Sequence, residues 1–164
     1  MQVVPMAAVN LLFEVDEVGL QVDFACRPER TDCATLEEQF FVWPIRVRCD
    51  EVDLFDWSFN PATPWWSLPA LGFSARCLHA YRAAIEFGEY WMPLPGSGSL
   101  RWTSACGVLT IECSLSAQLV RTRPAELVSA LQLFRRSVAR ELIKRYPPIA
   151  SHEVWSRRDT IRLT

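Results

Sequence analysis

The stretch RPAELVSALQLFRRSVARELIKRYPP, from Arg123 to Pro148, limits the fold more than any other part of the chain. Leu127, Leu131, Phe134, Val138 and Leu142 recur at helical spacing, and Val128 and Leu133 widen the stripe. A period near 3.6 puts such residues on one helix face. Arg135, Arg136, Arg140 and Lys144 fill the outer side. Pro124 suits a first helical turn, and Pro147-Pro148 stops the helix. The last turn is basic, which suits the negative end of the helix dipole. An amphipathic helix of this length needs an apolar surface to cover, and the rest of the chain must supply it.

Most of that surface reads as β-structure. VNLLFEVDEV and VGLQVDFACR read as two strands; in the second, Val18, Leu20, Val22, Phe24 and Cys26 alternate with Gly19, Gln21, Asp23 and Ala25. PERTDCAT reads as a loop from its turn residues. In the run EEQFFVWPIRVRCDEVDLF, alternation puts Phe41, Trp43, Ile45, Val47 and Cys49 on one face, with Arg46 and Arg48 on the other. Pro44 inside that run predicts an edge strand or a bulge, because proline cannot donate to the ladder. EYWMPL, LRWTSACG and VLTIECSLSAQLV supply further strands, and PGSGS marks a hairpin turn.

A second helix is expected in SLPALGFSARCLHAYRAAIEFG, with Ser67 as N-cap, Pro69 in the first turn and Gly88 as the stop. Leu71, Ser74, Ala75, Leu78, Ala80, Tyr81 and Ile85 supply its buried stripe. Small residues such as Gly72, Ala83 and Ala84 suit close packing. The order of elements predicts one α+β domain over residues 1–164, with a mostly antiparallel sheet of about six or seven strands. Its two main helices, over about 67–87 and 124–146, pack on one face. The basic tail, 149–164, is expected to be loosely packed or to add a last strand.

At 164 residues, half of them hydrophobic, the chain can build a core without disulfide staples. Net charge is -2, but the charges are unevenly placed. Residues 1–60 carry twelve acids and four arginines, while residues 121–164 carry ten bases and four acids. Such a chain either pairs its two ends or shows an acidic face to a basic partner. The basic C-terminal residues are the candidate for nucleic-acid binding, but the rest of the chain is acidic and repels phosphate, so no nucleic-acid partner is expected. Seventeen Lys+Arg include only Lys144 as lysine, which reads as the codon habit of a GC-rich, bacterial genome.

The six cysteines, Cys26, Cys33, Cys49, Cys77, Cys106 and Cys113, form no CxxC, and the start of the chain lacks the basic region of a secretion signal. The first thirteen residues carry no charge, too few to span a bilayer. A cytoplasmic protein with reduced thiols is expected, with four of the cysteines as small core residues. No metal site is expected, because the spacings fit no zinc knuckle and Cys77 and His79 would face apart on a helix. Nucleotide-binding loops, the GxSxG elbow and HExxH are missing from the sequence. No catalytic residue and no cofactor are assigned; the reading leans to a non-enzyme, with an unfamiliar enzyme kept as an alternative.

Aromatic residues are the remaining signal. Trp57, Trp65 and Trp66 cluster around a Pro-rich connection, next to Asp50, Glu51, Asp53 and Asp56. Adjacent residues in an extended segment point opposite ways, so one of Trp65 and Trp66 is expected to be buried and its neighbour at least half exposed. Aromatics rimmed by charge are frequent interface anchors. These seven residues form the expected partner-binding surface. Trp43, Trp91 and Trp102 read as core or sheet-face residues.

The run FFVWPIRVRCDEVDLFDWSFN, a helix, and then RWTSACGVLTIECSLSAQLVRTRPAELVSALQLFRRSVARELIKRYP resemble small cytosolic bacterial proteins of immunity or uncharacterised type. In these a meandering sheet ends in a strand, a short turn and a long amphipathic helix. The likeness is one of layout and spans about residues 9–147. It implies a protein that binds a cognate toxin and blocks it, with an acidic surface against a basic toxin domain. Two other readings remain open: a small-ligand-binding domain or unfamiliar enzyme with an aromatic pocket lined by Trp65, Trp91 and Trp102, and a structural subunit of a bacterial assembly that would show as an obligate oligomer. No membrane partner is expected.

Overall fold

The strand Val42–Cys49 (β2) organises the first half of the molecule in a computed structural model that describes residues 11–16, 27–56 and 66–156. Trp43, Ile45, Val47 and Cys49 are buried, while the intervening residues are half-buried, as the alternation predicts. Leu11–Val15 (β1) runs antiparallel along one edge of β2, with Leu11 opposite Cys49 and Val15 opposite Ile45. Two strands share the other edge. Val52–Asp53 (β3) returns against Arg48 and Cys49, and Trp66–Pro69 (β4) lies against Val42–Ile45.

β2 is therefore a central strand, and Pro44 does not mark an edge. The ladder with β1 ends at the Val15–Ile45 pair, and the Pro44 carbonyl accepts from Asp16 N–H at 3.0 Å. The donor that proline lacks falls at this frayed end, where little is lost. The strand expected over VGLQVDFACR lies outside the described residues.

A short helix, Cys33–Gln39 (α1), precedes β2 where the sequence suggested a loop. Asp32 caps it, its carboxylate accepting from the Thr35 backbone N–H at 2.9 Å and the Thr35 hydroxyl at 2.7 Å. The turn-forming residues of PERTDCAT are thus a 3-10 turn at Pro28–Arg30 and a helix cap. Phe41 links α1 to β2 at φ +54, a conformation usually left to glycine at a helix C-terminus. Its buried ring packs near Tyr146, with centroids 6.3 Å apart.

The helix Ala70–Phe87 (α2) starts later than expected. Ser67 does not cap it: Ser67 stands opposite Pro44 in β4, and pairing with β2 keeps 66–69 extended. Gly88 ends α2 at φ +84, its N–H bonded to the Ala84 carbonyl at 2.8 Å. A second sheet follows as a simple antiparallel meander: Glu89–Pro93 (β5), Ser99–Ala105 (β6), Val108–Cys113 (β7) and Leu119–Thr122 (β8). Cys106 and Gly107 make the two-residue turn between β6 and β7, both at positive φ as a type I′ turn requires.

The helix Pro124–Arg145 (α3) buries Leu127, Val128, Leu131, Phe134, Val138 and Leu142, as its stripe predicts. Leu133 falls outside the stripe and is 60% exposed. The α+β class holds, but the strands divide into two four-stranded sheets. α2 comes between them in sequence and covers β5 and β6, while α3 packs on β1 and on α2. The sheets meet where β2 nears β8: the Cys49 thiol reaches the Arg121 carbonyl at 3.7 Å, and Ser116 Oγ donates to the Leu54 carbonyl at 2.6 Å. One apolar core runs through both sheets and the helices.

The tail up to Ser156 is docked rather than loose. Pro147–Ser151 and Glu153–Trp155 form 3-10 turns that bury Ile149 and Val154 completely. Trp155 Nε1 donates to the Ile149 carbonyl at 2.7 Å. The Tyr146 hydroxyl donates to Glu29 at 2.5 Å, tying the end of α3 to the turn before α1. Arg157, Arg158 and Arg162 lie outside the described residues.

Two predictions follow from this packing. A Cβ on Gly72 would stand 2.2 Å from the Glu37 carbonyl oxygen, so α1 and α2 meet through bare backbone. Gly72→Ala should lower stability by about 1–3 kcal/mol in urea unfolding; an unchanged midpoint contradicts the contact. The Tyr146 hydroxyl holds Glu29 below its ordinary 4.5, and Glu29 in turn raises Tyr146 above 10.0. The depressed Glu29 contributes stability above pH 4.5 that is lost as pH falls. The raised Tyr146 contributes stability below pH 10.0 that is lost as pH rises through its folded value. Tyr146→Phe should flatten both arms of the midpoint-against-pH curve; two unaltered arms contradict the link.

Candidate functional site

The four acids expected at a partner surface fall on the β2–β3 hairpin. Cys49 stands opposite Val52, leaving Asp50-Glu51 as a two-residue turn. Asp50 has φ +52, and aspartate is among the few residues that accept this region readily. Asp50, Glu51 and Asp56 are exposed. Asp53 differs: Arg46 grips it with Nε at 2.5 Å and Nη2 at 2.7 Å. The hydrogen bonds that Arg46 donates to Asp53 are the main cause that raises its pKa above the ordinary value. Three carboxylates thus point outward while the fourth is neutralised and fastens the hairpin.

The base of the hairpin is anchored in the core. Leu54 N–H bonds to the Val47 carbonyl at 2.8 Å, and the Leu54 and Phe55 side chains are buried. Exposed carboxylates on an anchored hairpin attract cationic surfaces, and a preset geometry keeps the ordering cost of binding low. Arg48 is a second nearby cation and reaches Glu14 at 3.7 Å across the sheet, a half-exposed pair.

The aromatic half of the expected surface is arranged differently. Trp66 is half-buried in β4, opposite Ile45, with its ring 5.9 Å from that of Phe55. Trp57 and Trp65 lie outside the described residues. Trp102 is buried in the core, whereas Trp91 is 54% exposed. In the β5–β6 register Trp91 faces Arg101 and Tyr90 faces Trp102, so Trp91 and Trp102 occupy opposite faces of the second sheet and do not line one pocket. The Arg101 guanidinium lies 5.5 Å from the Trp91 ring centre. Glu89 accepts from both, at 2.6 Å from Arg101 Nε and 3.1 Å from Trp91 Nε1. This exposed Trp–Arg–Glu group was not singled out by the sequence. The alternation of β5 was its signal, obscured because aromatics stand on both faces of EYWMP.

The nucleophilic and titratable side chains are mostly committed to structure. Cys33, Cys49, Cys77 and Cys113 are buried, and Cys106 is exposed at its turn. Burial raises the Cys77 and Cys49 thiols above their ordinary range. The Cys33 thiol donates to Glu153 at 3.3 Å. His152 accepts from Val154 N–H at Nδ1, 3.0 Å, and pairs through Nε2 with the Thr31 carbonyl at 2.7 Å. That carbonyl can only accept, so the proton sits on Nε2 and neither ring nitrogen is left for chemistry. His79 is exposed, edge-on to Tyr90 with ring centres 5.2 Å apart.

Arg135 does not lie on the outer side of α3. It is enclosed between the three helices, 3.7 Å from Glu37 and 3.5 Å from Ser74 Oγ. Burial lowers its pKa and Glu37 opposes the shift. Arg136, Arg140 and Lys144 do face solvent. Among the described residues no three His, Cys, Asp or Glu side chains stand close enough to hold a metal ion, and no helix is long and apolar enough to cross a membrane.

No family model, no curated protein and no solved structure matches the chain.

The hairpin separates two roles that thermal unfolding can distinguish. Asp53→Asn should cost about 1–3 kcal/mol, because it strips a charge-assisted pair from a partly buried arginine. Glu51→Gln should stay within about 0.5 kcal/mol, as surface changes away from packing do. Equal effects contradict the assignment of Asp53 to structure and Glu51 to the free surface.

Proposed function

We propose that the chain is a non-enzymatic protein-interaction module whose acidic hairpin meets a basic partner. In its most specific form the reading is a toxin-neutralising immunity protein of bacterial origin. The observation that carries it is the outward set of Asp50, Glu51 and Asp56 on a hairpin pinned by the Arg46–Asp53 pair. Carboxylates on a rigid mount raise encounter rates with a cationic surface and reject acidic competitors. Buried thiols packed as core side chains suit a reducing cytoplasm. Trp57, Trp65 and Trp66 remain the aromatic residues assigned to the same interface, with Trp66 contributing its exposed part.

The test uses Glu51→Lys with Asp56→Lys, leaving Asp53 intact because changing it would unseat Arg46. The tagged chain and this double variant are used to capture partners from a bacterial host extract at low and moderate salt. The expected result is a stoichiometric basic protein that is lost as salt rises, with association slowed about tenfold or more by the variant. A complex indifferent to both salt and the two reversals contradicts the reading.

A further inference from the structure

A concave cleft of about 460 Å³ lies between α1, α2 and β5, and none of the hairpin acids lines it. Its size falls in the usual range for small-molecule sites, roughly 300–1,000 Å³. One wall is the face of α2 that carries Gly72, Arg76 and His79, at i, i+4 and i+7. Glu37 and Glu38, at the end of α1, border the Gly72 end, where the two backbones touch. Leu68, Phe73 and Met92 provide an apolar floor. The His79–Tyr90 ring contact borders the far end.

The polar groups around this cleft differ in how far they are already engaged. Glu37 is neutralised by Arg135. Glu38 is exposed and makes no hydrogen bond or ion pair with another described residue. Arg76 donates one Nη2 bond to the Pro93 carbonyl and keeps its other N–H groups. His79 touches Tyr90 edge-on, and no described residue hydrogen-bonds its ring nitrogens. The cleft is therefore dipolar, with a carboxylate at the Gly72 end and cationic or donor groups one and two turns further along α2. From Gly72 to His79 the helix rises roughly 10 Å.

We infer that this cleft binds a short linear peptide of two or three residues with both termini free. The ammonium meets Glu38, the carboxylate meets Arg76 and His79, and an apolar side chain covers the Phe73–Met92 floor. Two to three extended residues span roughly 7–11 Å, comparable to the helix rise from Gly72 to His79 along the cleft wall. The charges favour the same class: among the described lining residues Glu38 and Arg76 are opposite in sign, so a ligand with both an ammonium and a carboxylate answers each, whereas a simple amine or a simple acid answers one.

Titration calorimetry on the full chain tests this with leucyl-phenylalanine and leucyl-leucyl-phenylalanine, alongside their N-acetylated and C-amidated forms. The free peptides should bind saturably. Blocking either terminus, or changing Glu38→Gln, should weaken binding at least about tenfold. Glu38 is exposed, so its variant keeps the fold; Arg76→Gln is a second probe at the carboxylate end, with folding checked by circular dichroism. The hairpin double variant Glu51→Lys, Asp56→Lys should bind the peptides as the parent does, which separates this site from the proposed interface. No saturable heat at millimolar peptide, equal binding of blocked and free forms, or an unaffected Glu38→Gln variant would each overturn the inference.

Discussion

Pairing along both edges of β2 is the interaction on which the rest of the molecule depends. The strand sends Trp43, Ile45, Val47 and Cys49 into the core and keeps Arg46 and Arg48 on the other face. A slip of one residue would exchange the faces and drive two guanidiniums into the apolar interior. Each large side chain withdrawn from the core forfeits about 1.5–3 kcal/mol of burial, and the arginines would add a desolvation cost. The register is thus strongly specified, and it sets the position of everything attached to the strand. One end turns over at Asp50-Glu51 to present the acidic hairpin. The other end holds β4, which runs straight into α2 and so fixes one wall of the cleft.

The parts of the fold that were legible in the sequence are those whose pattern is local and unopposed. The stripe of α3, the stop at Gly88 and the turn between β5 and β6 each follow from a few neighbouring residues. Illegible features depend on partners far away in the chain. Pro44 looks like an edge marker until β1 is seen to end beside it. Ser67 is a good helix cap by type, but pairing with β2 outweighs a cap of about 1 kcal/mol. Asp32 reads as a turn residue, and only the Thr35 bonds show that it starts α1. The division into two sheets is also non-local, since it follows from where α2 lies rather than from any strand.

The candidate site divides along the same line. Asp50, Glu51, Asp53 and Asp56 come together because they sit on one short hairpin, so sequence proximity was enough to group them. That Asp53 is fastened by Arg46 was hidden, because cross-strand diagonals depend on register. Arg135 was misplaced for a similar reason: its helical position is peripheral, but α1 folds over it and supplies Glu37. Trp91 was grouped with Trp43 and Trp102, yet one residue of offset along β5 puts it on the opposite face from Trp102. The cleft left no sequence signature, since its walls come from four elements and its charged groups are separated by tens of residues.

Native-state hydrogen exchange across β2 tests most directly whether this strand is the rigid mount on which both surfaces are built. If it is, the amides of β2 exchange only through the global opening, with the same free energy as the most protected amides of α3, while Glu51 at the hairpin tip exchanges quickly. Exchange of the β2 amides through a lower-energy opening, with α3 still protected, would contradict the account, because neither the acidic hairpin nor the start of α2 would then have a fixed support.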